Sequence, residues 1–293
     1  MSASAEGGRP AIGGATRTVG VIGWPVDHSL SPAIHNAAFT ALGMDWVYVP
    51  LPVPPGRVAD ALRGLPALGF AGANVTMPHK TAVADEVDVL TDDARLLHAV
   101  NTVQVTPDGL VGHNTDAPGF ARFLRDDAGV EAAGTRALVL GSGGAARACT
   151  LALARAGVER LVVAARDLAA AQQLAPLVRG TDALFEAVEL AAAADQDVDL
   201  VVNATPLGAA AEVPPHPAPR PGMIVIDLLY RPPVTVWQQL ARQAGAEAHG
   251  GLGLLLHQAA LSFELWSGRV PPLEAMSAAA VGRLADELEG RGA

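Results

Sequence analysis

Short apolar runs alternate with Ala- and Leu-rich stretches of helical period along most of this chain. Val19-Gly20-Val21-Ile22-Gly23 reads as a strand. Ser31-Pro32 then opens a helix, with Ser31 as the cap and proline at the first helical position. Apolar residues continue along that helix at Ile34, Ala37, Ala38 and Leu42. Further strands are expected at residues 46–49, at a run ending with 72–75, and at 99–103, before a helix that starts at Asp116. A second series opens with a strand at 137–140 and continues through 161–164, 200–202 and 224–226. These later runs are apolar throughout, as expected of parallel strands covered on both faces. After Gly250-Gly251 the apolar period predicts two amphipathic helices, Leu252–Ser267 and Leu273–Leu288. The alternation predicts an α/β protein with two open, mainly parallel sheets. One unit runs to about Phe120 and the other from about Ala121 to Ala248. Periodicity alone does not say on which unit the last two helices pack.

Composition narrows the classes of partner. The 293 residues are 50% hydrophobic, enough for two cores, and carry a net charge of −10. That charge argues against nucleic acid or an anionic membrane as a partner. The single cysteine, Cys149, excludes an intrachain disulfide and fits a reducing cytoplasm; lying in an apolar run, it reads as a packed thiol. No apolar run approaches the length of a transmembrane span. Residues 1–16 are rich in Gly, Ala and Ser and read as a disordered lead-in, not a secretory signal. The histidines show no ligand spacing beside Cys or carboxylates, so no metal is expected.

Two stretches carry candidate chemistry. The strand at 137–140 runs directly into Gly141-Ser142-Gly143-Gly144-Ala145-Ala146, and a helix follows. Glycines there permit a tight turn, and they let backbone N–H groups and a helix N-terminus approach a pyrophosphate. The third small position of the usual Gly-x-Gly-x-x-Gly is Ala146. The next strand ends at Ala165-Arg166-Asp167, where such units meet the adenine ribose. Arg166 suits the 2′-phosphate of NADP. Asp167 either repels that phosphate, leaving NAD possible, or caps the next helix.

The second stretch holds the only lysine. Lys80 ends Asn74-Val75-Thr76-Met77-Pro78-His79-Lys80, and every other basic side chain is arginine. Arginine stays protonated, whereas a lysine can be tuned to give and take a proton, so Lys80 is the first candidate for an acid–base group. Polar residues gather where the strands of this unit end: Ser29, Ser31, Asn74, Thr76, Asn101, Thr102, Asn114, Thr115 and Asp116. In open α/β sheets ligands bind beyond the carboxyl ends of strands. Hydroxyls and amides suit a polyhydroxylated ring, and serines at a helix start suit a carboxylate.

The same segments, with Asn203-Ala204-Thr205-Pro206-Leu207-Gly208, Asp227-Leu228-Leu229-Tyr230 and the run from Gly251 to Gln258, resemble the shikimate dehydrogenase family in order and over nearly the whole chain. The resemblance implies an N-terminal substrate domain (17–120 with 249–293) and a Rossmann-like NADP-binding domain (121–248). It implies NADPH-dependent reduction of 3-dehydroshikimate to shikimate in aromatic amino-acid biosynthesis, by a cytoplasmic monomer or homodimer. Ser29 and Ser31 would bind the substrate carboxylate. Asn74, Thr76, Asn101, Asp116 and Gln258 would hold the ring, with Tyr230 nearby. Lys80 and Asp116 would form the catalytic pair. Gly141, Ser142, Gly143, Gly144 and Ala145 would cradle the pyrophosphate, and Arg166 would face the 2′-phosphate. Thr205, Leu228 and Gly251 would line the nicotinamide, and Asp92 would lie near the cofactor. Three positions depart from the family pattern: Ala165-Arg166-Asp167 at the ribose corner, Leu254 for a methionine, and Trp24 for a small polar residue. An NAD-linked quinate/shikimate dehydrogenase, an aminoshikimate-type enzyme and a non-catalytic nucleotide-sensing module are the alternatives.

Overall fold

A computed structural model describes residues 12–210 and 213–290. The chain divides into two compact units. One comprises the residues up to Thr115 together with those from Ala259 onward, and the other is Asp116–Gln258.

The first unit is built on a six-stranded sheet. Its strands are β1 (Arg17–Gly23), β2 (Trp46–Pro52), β3 (Phe70–Val75), β4 (Val89–Leu90), β5 (Thr102–Thr106) and β6 (Gly109–His113), in the order β2-β1-β3-β5-β6-β4. β1 lies parallel between β2 and β3, β5 runs antiparallel to both β3 and β6, and β4 is parallel to β6. Helices α1 (Ser31–Ala41), α2 (Val58–Ala67), α3 (Lys80–Glu86) and α4 (Asp92–Leu97) connect the strands. One core joins Ile22, Leu62, Leu65, Ala73, Val75, Val83, Val100 and Val103 between the sheet and α2–α3.

The second unit starts with α5 (Asp116–Asp126). Its sheet comprises β7 (Arg136–Leu140), β8 (Arg160–Ala165), β9 (Leu184–Glu189), β10 (Leu200–Asn203), β11 (Ile224–Asp227) and β12 (Glu247–Gly250). The order β12-β11-β10-β7-β8-β9 is parallel throughout. Numbered within the unit it reads 3-2-1-4-5-6 from β9, the doubly wound arrangement with its switch point between β7 and β10. Helices α6 (Gly144–Arg155), α7 (Leu168–Gln172) and α8 (Val236–Gln243) connect these strands. Beyond their first residues the middle strands are buried, which explains their apolar runs. Helices α9 (Leu252–Ser267) and α10 (Leu273–Leu288) have the bounds that their period predicts, and α10 packs on α1.

Several expectations change. Ser31 is the first helical residue of α1, not its cap; Leu30 holds the cap position and no side chain caps the helix. The Ser29 hydroxyl instead accepts from the Ser31 N–H at 3.3 Å. The strand expected at 99–103 begins only at Thr102. Residues 99–101 are held irregularly, with Asn101 donating its N–H to His113 and accepting from the Val75 N–H. Strands β4, β6, β9 and β12 carry weak patterns. β6 is Gly-Leu-Val-Gly-His, and β9 is a half-exposed edge strand. β12 pairs with β11, which places Glu247–Gly250 in the second sheet and moves the division of the chain into α9, after Gln258. The start of that unit moves to Asp116, the first residue of α5. Of the expected lead-in, residues 1–11 lie outside the described residues. Gly13–Thr16 form a turn tied to Asp45 through the Thr16 hydroxyl at 2.6 Å.

Candidate active site

In the first unit, the loops after β1 and β3 are laced together. The Thr76 N–H donates to Ile22 at 2.9 Å and the Trp24 N–H to Met77 at 3.1 Å. A Cβ at Gly23 would stand 2.5 Å from the Thr76 methyl, so only glycine lets the two loops approach this closely. These bonds bring Thr76 and the stretch leading to Lys80 beside the loop that carries Ser29 and Ser31. Lys80 is the first residue of α3, partly buried, and its carbonyl accepts from the Val100 N–H at 2.9 Å.

Below this surface lies a buried polar network. Tyr48 Oη donates to Asn74 Oδ1 at 2.8 Å. Asn74 Nδ2 donates to Ser262 Oγ at 2.9 Å, Thr102 Oγ1 at 3.0 Å and the Asn101 carbonyl at 3.2 Å. Asn101 Oδ1 accepts the Thr115 N–H at 2.7 Å, and its Nδ2 donates to Thr115 Oγ1 at 2.9 Å. All six side chains are buried. The register explains their meeting, because Asn74 pairs with Val21 on one side and with Thr102 on the other. Interior polar groups of this kind must be satisfied, and this set is. Asn74 therefore spends its amide inside the protein. Tyr48 and Ser262 were missed by the sequence reading. The available signal was one hydroxyl on the buried face of α9, among Ala259, Ala260, Phe263 and Trp266. His35 stacks flat on Tyr48, with ring centroids 4.4 Å apart. Burial lowers its pKa to about 3, with Asn74 pulling the other way. The approach to Asn74 falls outside hydrogen-bond geometry, and both ring nitrogens lack a partner among the described residues. Asp92 is exposed at the start of α4 and pairs with Arg95 at 3.1 Å.

In the second unit, β7 delivers Gly141 with φ of 111°, a left-handed value that favours glycine. Its N–H donates to Ala164 at 2.8 Å, and a Cβ there would press within 3.2 Å of the Ala204–Thr205 turn after β10. The loop therefore lies at the switch point. Ser142 is partly buried and Gly143 exposed. Gly143 holds the cap position of α6 with no capping side chain, and a Cβ on it would meet nothing within 4 Å. Open space before the uncapped N–H groups of Gly144, Ala145 and Ala146 fits a pyrophosphate. Arg166 is exposed just past the end of β8. Asp167 caps α7, with Oδ1 accepting from the Ala170 N–H at 3.2 Å. The capping role considered from sequence is the one it takes.

The Thr205 hydroxyl donates to Asn203 Oδ1 at 2.6 Å. Asn203 Nδ2 donates to Asp227 Oδ1 at 2.9 Å, and Asp227 Oδ2 accepts from Thr235 at 2.8 Å. Burial raises the Asp227 carboxyl, while Thr235, the Leu229 N–H and Asn203 oppose the rise. This pin sets the path of Leu228-Leu229-Tyr230. Gly251 lies against that path: a Cβ on it would fall 1.9 Å from the Leu228 carbonyl oxygen. The Arg231 guanidinium stands over the Tyr230 ring at 5.3 Å. Asp116 opens α5 and is buried, and Gly119 one turn later lies against the Gln258 backbone. Gln258 Nε2 donates to Leu255 at 2.8 Å. Asp116 and Gln258 thus share the second unit, while Ser29, Ser31, Thr76, Lys80 and Asn101 share the first. Cys149 is buried in α6, its thiol pushed up by burial and further by Asp116, so it is a packed thiol. No cluster of His, Cys, Asp and Glu among the described residues could hold a metal ion, and no helix among them is long and apolar enough to cross a membrane.

Three family models match the chain. Residues 21–103 match the shikimate dehydrogenase substrate binding domain, 125–212 shikimate / quinate 5-dehydrogenase, and 251–281 the shikimate 5′-dehydrogenase C-terminal domain. A shikimate dehydrogenase (NADP(+)) from Citrifermentans bemidjiense is 44% identical over 93% of this chain and 97% of its own length. One from Rubrobacter xylanophilus is 46% identical over 93% and 98%. A crystal structure of a shikimate dehydrogenase in complex with NADP+ superposes with a TM-score of 0.85 at 35% identity, covering 94% of this chain and 98% of that one. Matches of this extent take in both sheets, the glycine loop and the segment bearing Lys80, and they make the chain a member of the shikimate dehydrogenase family.

Proposed function

We infer that this chain is an NADP-dependent shikimate dehydrogenase, catalysing the reversible reduction of 3-dehydroshikimate to shikimate in the pathway to chorismate and the aromatic amino acids. The observation that carries the reading is a lone lysine opening a helix beside two hydroxyl-bearing loops, in a family member whose other sheet ends in an uncapped glycine loop.

NADPH, when bound, supplies the hydride for the ring carbonyl. Ser29 and Ser31 receive the substrate carboxylate at the start of α1. Thr76 and Asn101 hold ring hydroxyls, as do Asp116 and Gln258, with Tyr230 nearby. The Lys80 ammonium gives its proton to the carbonyl oxygen as negative charge grows there, and in the oxidative direction the neutral amine takes the hydroxyl proton. Gly141 to Ala145 take the pyrophosphate, Arg166 the 2′-phosphate, and Thr205, Leu228 and Gly251 the nicotinamide side. The exposed Arg166 just past β8, together with the likeness to NADP(+)-dependent relatives, supports NADP over NAD. Asp92 has no support beyond the resemblance, since its carboxylate pairs with Arg95. A reducing cytoplasm suits the buried thiol, and the chain acts as a monomer or homodimer.

Absorbance at 340 nm with shikimate, and NADP or NAD in separate reactions, tests the reading. Rapid reduction of NADP with little of NAD is expected. Preference for NAD with quinate moves the chain to the quinate/shikimate branch, and no turnover with either refutes the reading. Lys80→Ala is expected to lower kcat by about 100-fold or more with a smaller change in KM.

A further inference from the structure

The residue before Lys80 does something that its position does not require. His79 holds the cap position of α3, where a short polar side chain would accept from the first free N–H groups. It supplies no such cap. The imidazole turns back into the protein, buried to 2% exposure, and its Nε2 lies 2.7 Å from the Val53 carbonyl. A carbonyl oxygen can only accept, so Nε2 carries the proton and donates it.

That bond closes a circuit among three strand ends. The Val53 N–H, just after β2, donates to Gly23 at the end of β1 at 3.0 Å. The Trp24 N–H, next after Gly23, donates to Met77 at 3.1 Å. Met77 lies in the turn closed by the His79 N–H to Thr76 at 3.0 Å. The His79 carbonyl also accepts the Val83 N–H at 2.9 Å, which starts α3. The His79 ring is therefore the one side chain in a ring of backbone bonds that joins the loops after β1, β2 and β3. Lys80 is held from the other direction through its carbonyl by Val100. With the His79 bond gone, the start of α3 keeps its backbone ties through Thr76, Met77 and Val100 but loses its direct bond to the residue after β2.

We propose that His79 is a positioning residue for Lys80, acting through its Nε2–H bond to Val53. The inference rests on the reading of Lys80 as the proton donor. An acid–base group misplaced by about 1 Å costs on the order of 100-fold in rate. His79→Phe keeps the ring volume and removes the donor. His79→Gln places an amide N–H about where Nε2 stands, whereas His79→Asn is too short to reach. Because the chain has one lysine, incorporated [ε-13C]lysine gives a single resonance that reports on Lys80 alone.

The experiment compares the four proteins by steady-state kinetics with shikimate and NADP, and by that resonance. His79→Phe and His79→Asn are expected to lower kcat about 10-fold or more, with KM for shikimate within about 3-fold, and to shift or broaden the Lys80 signal. His79→Gln is expected to restore kcat to within about 3-fold of the native protein. A native kcat in His79→Phe, or a His79→Gln no better than His79→Phe, overturns the proposal. So does an unchanged Lys80 resonance in a variant with lowered stability alone. If the native protein does not oxidise shikimate, the functional reading fails instead, and the resonance still decides whether His79 places Lys80.

Discussion

His35 offers a sharp test of the packing beneath the first sheet. Its ring is fully buried against Tyr48, with Trp266 and Phe39 around it, and burial holds its pKa at about 3 against an ordinary 6.5. The folded protein therefore keeps His35 neutral while the unfolded chain binds a proton below about pH 6.5. Stability from this group is complete above that pH and is lost as the pH falls toward 3. At pH 7.5 almost nothing is lost. At pH 5.0 the unfolded chain gains about 1.5 pH units of proton binding, or about 2 kcal/mol at roughly 1.4 kcal/mol per unit. His35→Phe keeps an aromatic ring in the stack and has nothing to protonate. Urea unfolding followed by tryptophan fluorescence at pH 7.5 and 5.0 gives the free energies by linear extrapolation. The native protein should lose about 2 kcal/mol more than the variant between the two pH values. Other groups, including His113, whose pKa burial also lowers, titrate in both proteins and cancel. Equal losses, within about 0.5 kcal/mol, would refute the account, because His35 would then be protonated in the fold as readily as in the unfolded chain.

Two further outcomes follow from the second unit. Arg166→Gln should raise KM for NADP about 10-fold or more while changing KM for NAD less than about 3-fold, since a charge-assisted phosphate contact is lost and no other; equal effects on both cofactors would remove Arg166 from the 2′-phosphate. Gly251→Ala sets a methyl 1.9 Å from the Leu228 oxygen, which only a backbone shift can relieve. It should weaken NADP binding in calorimetry and lower thermal stability together, and native behaviour in both would show that the segment yields freely.

Much of the architecture was legible because it is written in local patterns. The bounds of α9 and α10 follow from the apolar period, and the buried strands β7, β8, β10 and β11 from short apolar runs rich in Val, Ile and Leu. The glycine loop declares itself by lying between such a strand and a helix, and Lys80 by being the only lysine. Where signals were weak the reading failed. The β5–β6 hairpin was missed because its second strand has two glycines in five residues, and Ser31 was taken for a cap when Leu30 precedes the helix. What only the tertiary structure decided are the partners. Asn74 looked like a ligand-facing amide until Tyr48, Thr102 and Ser262 took up its bonds. The Ala170 N–H shows that Asp167 caps α7, and nothing near His79 in the sequence pointed its ring to Val53. The physical reason is range. Periodicity and capping act over three or four residues, where the chain's own geometry sets who is adjacent. A hydrogen bond from Asn74 to Ser262 depends on the order in which strands assemble and on the helix laid across them, and neither is encoded near either residue.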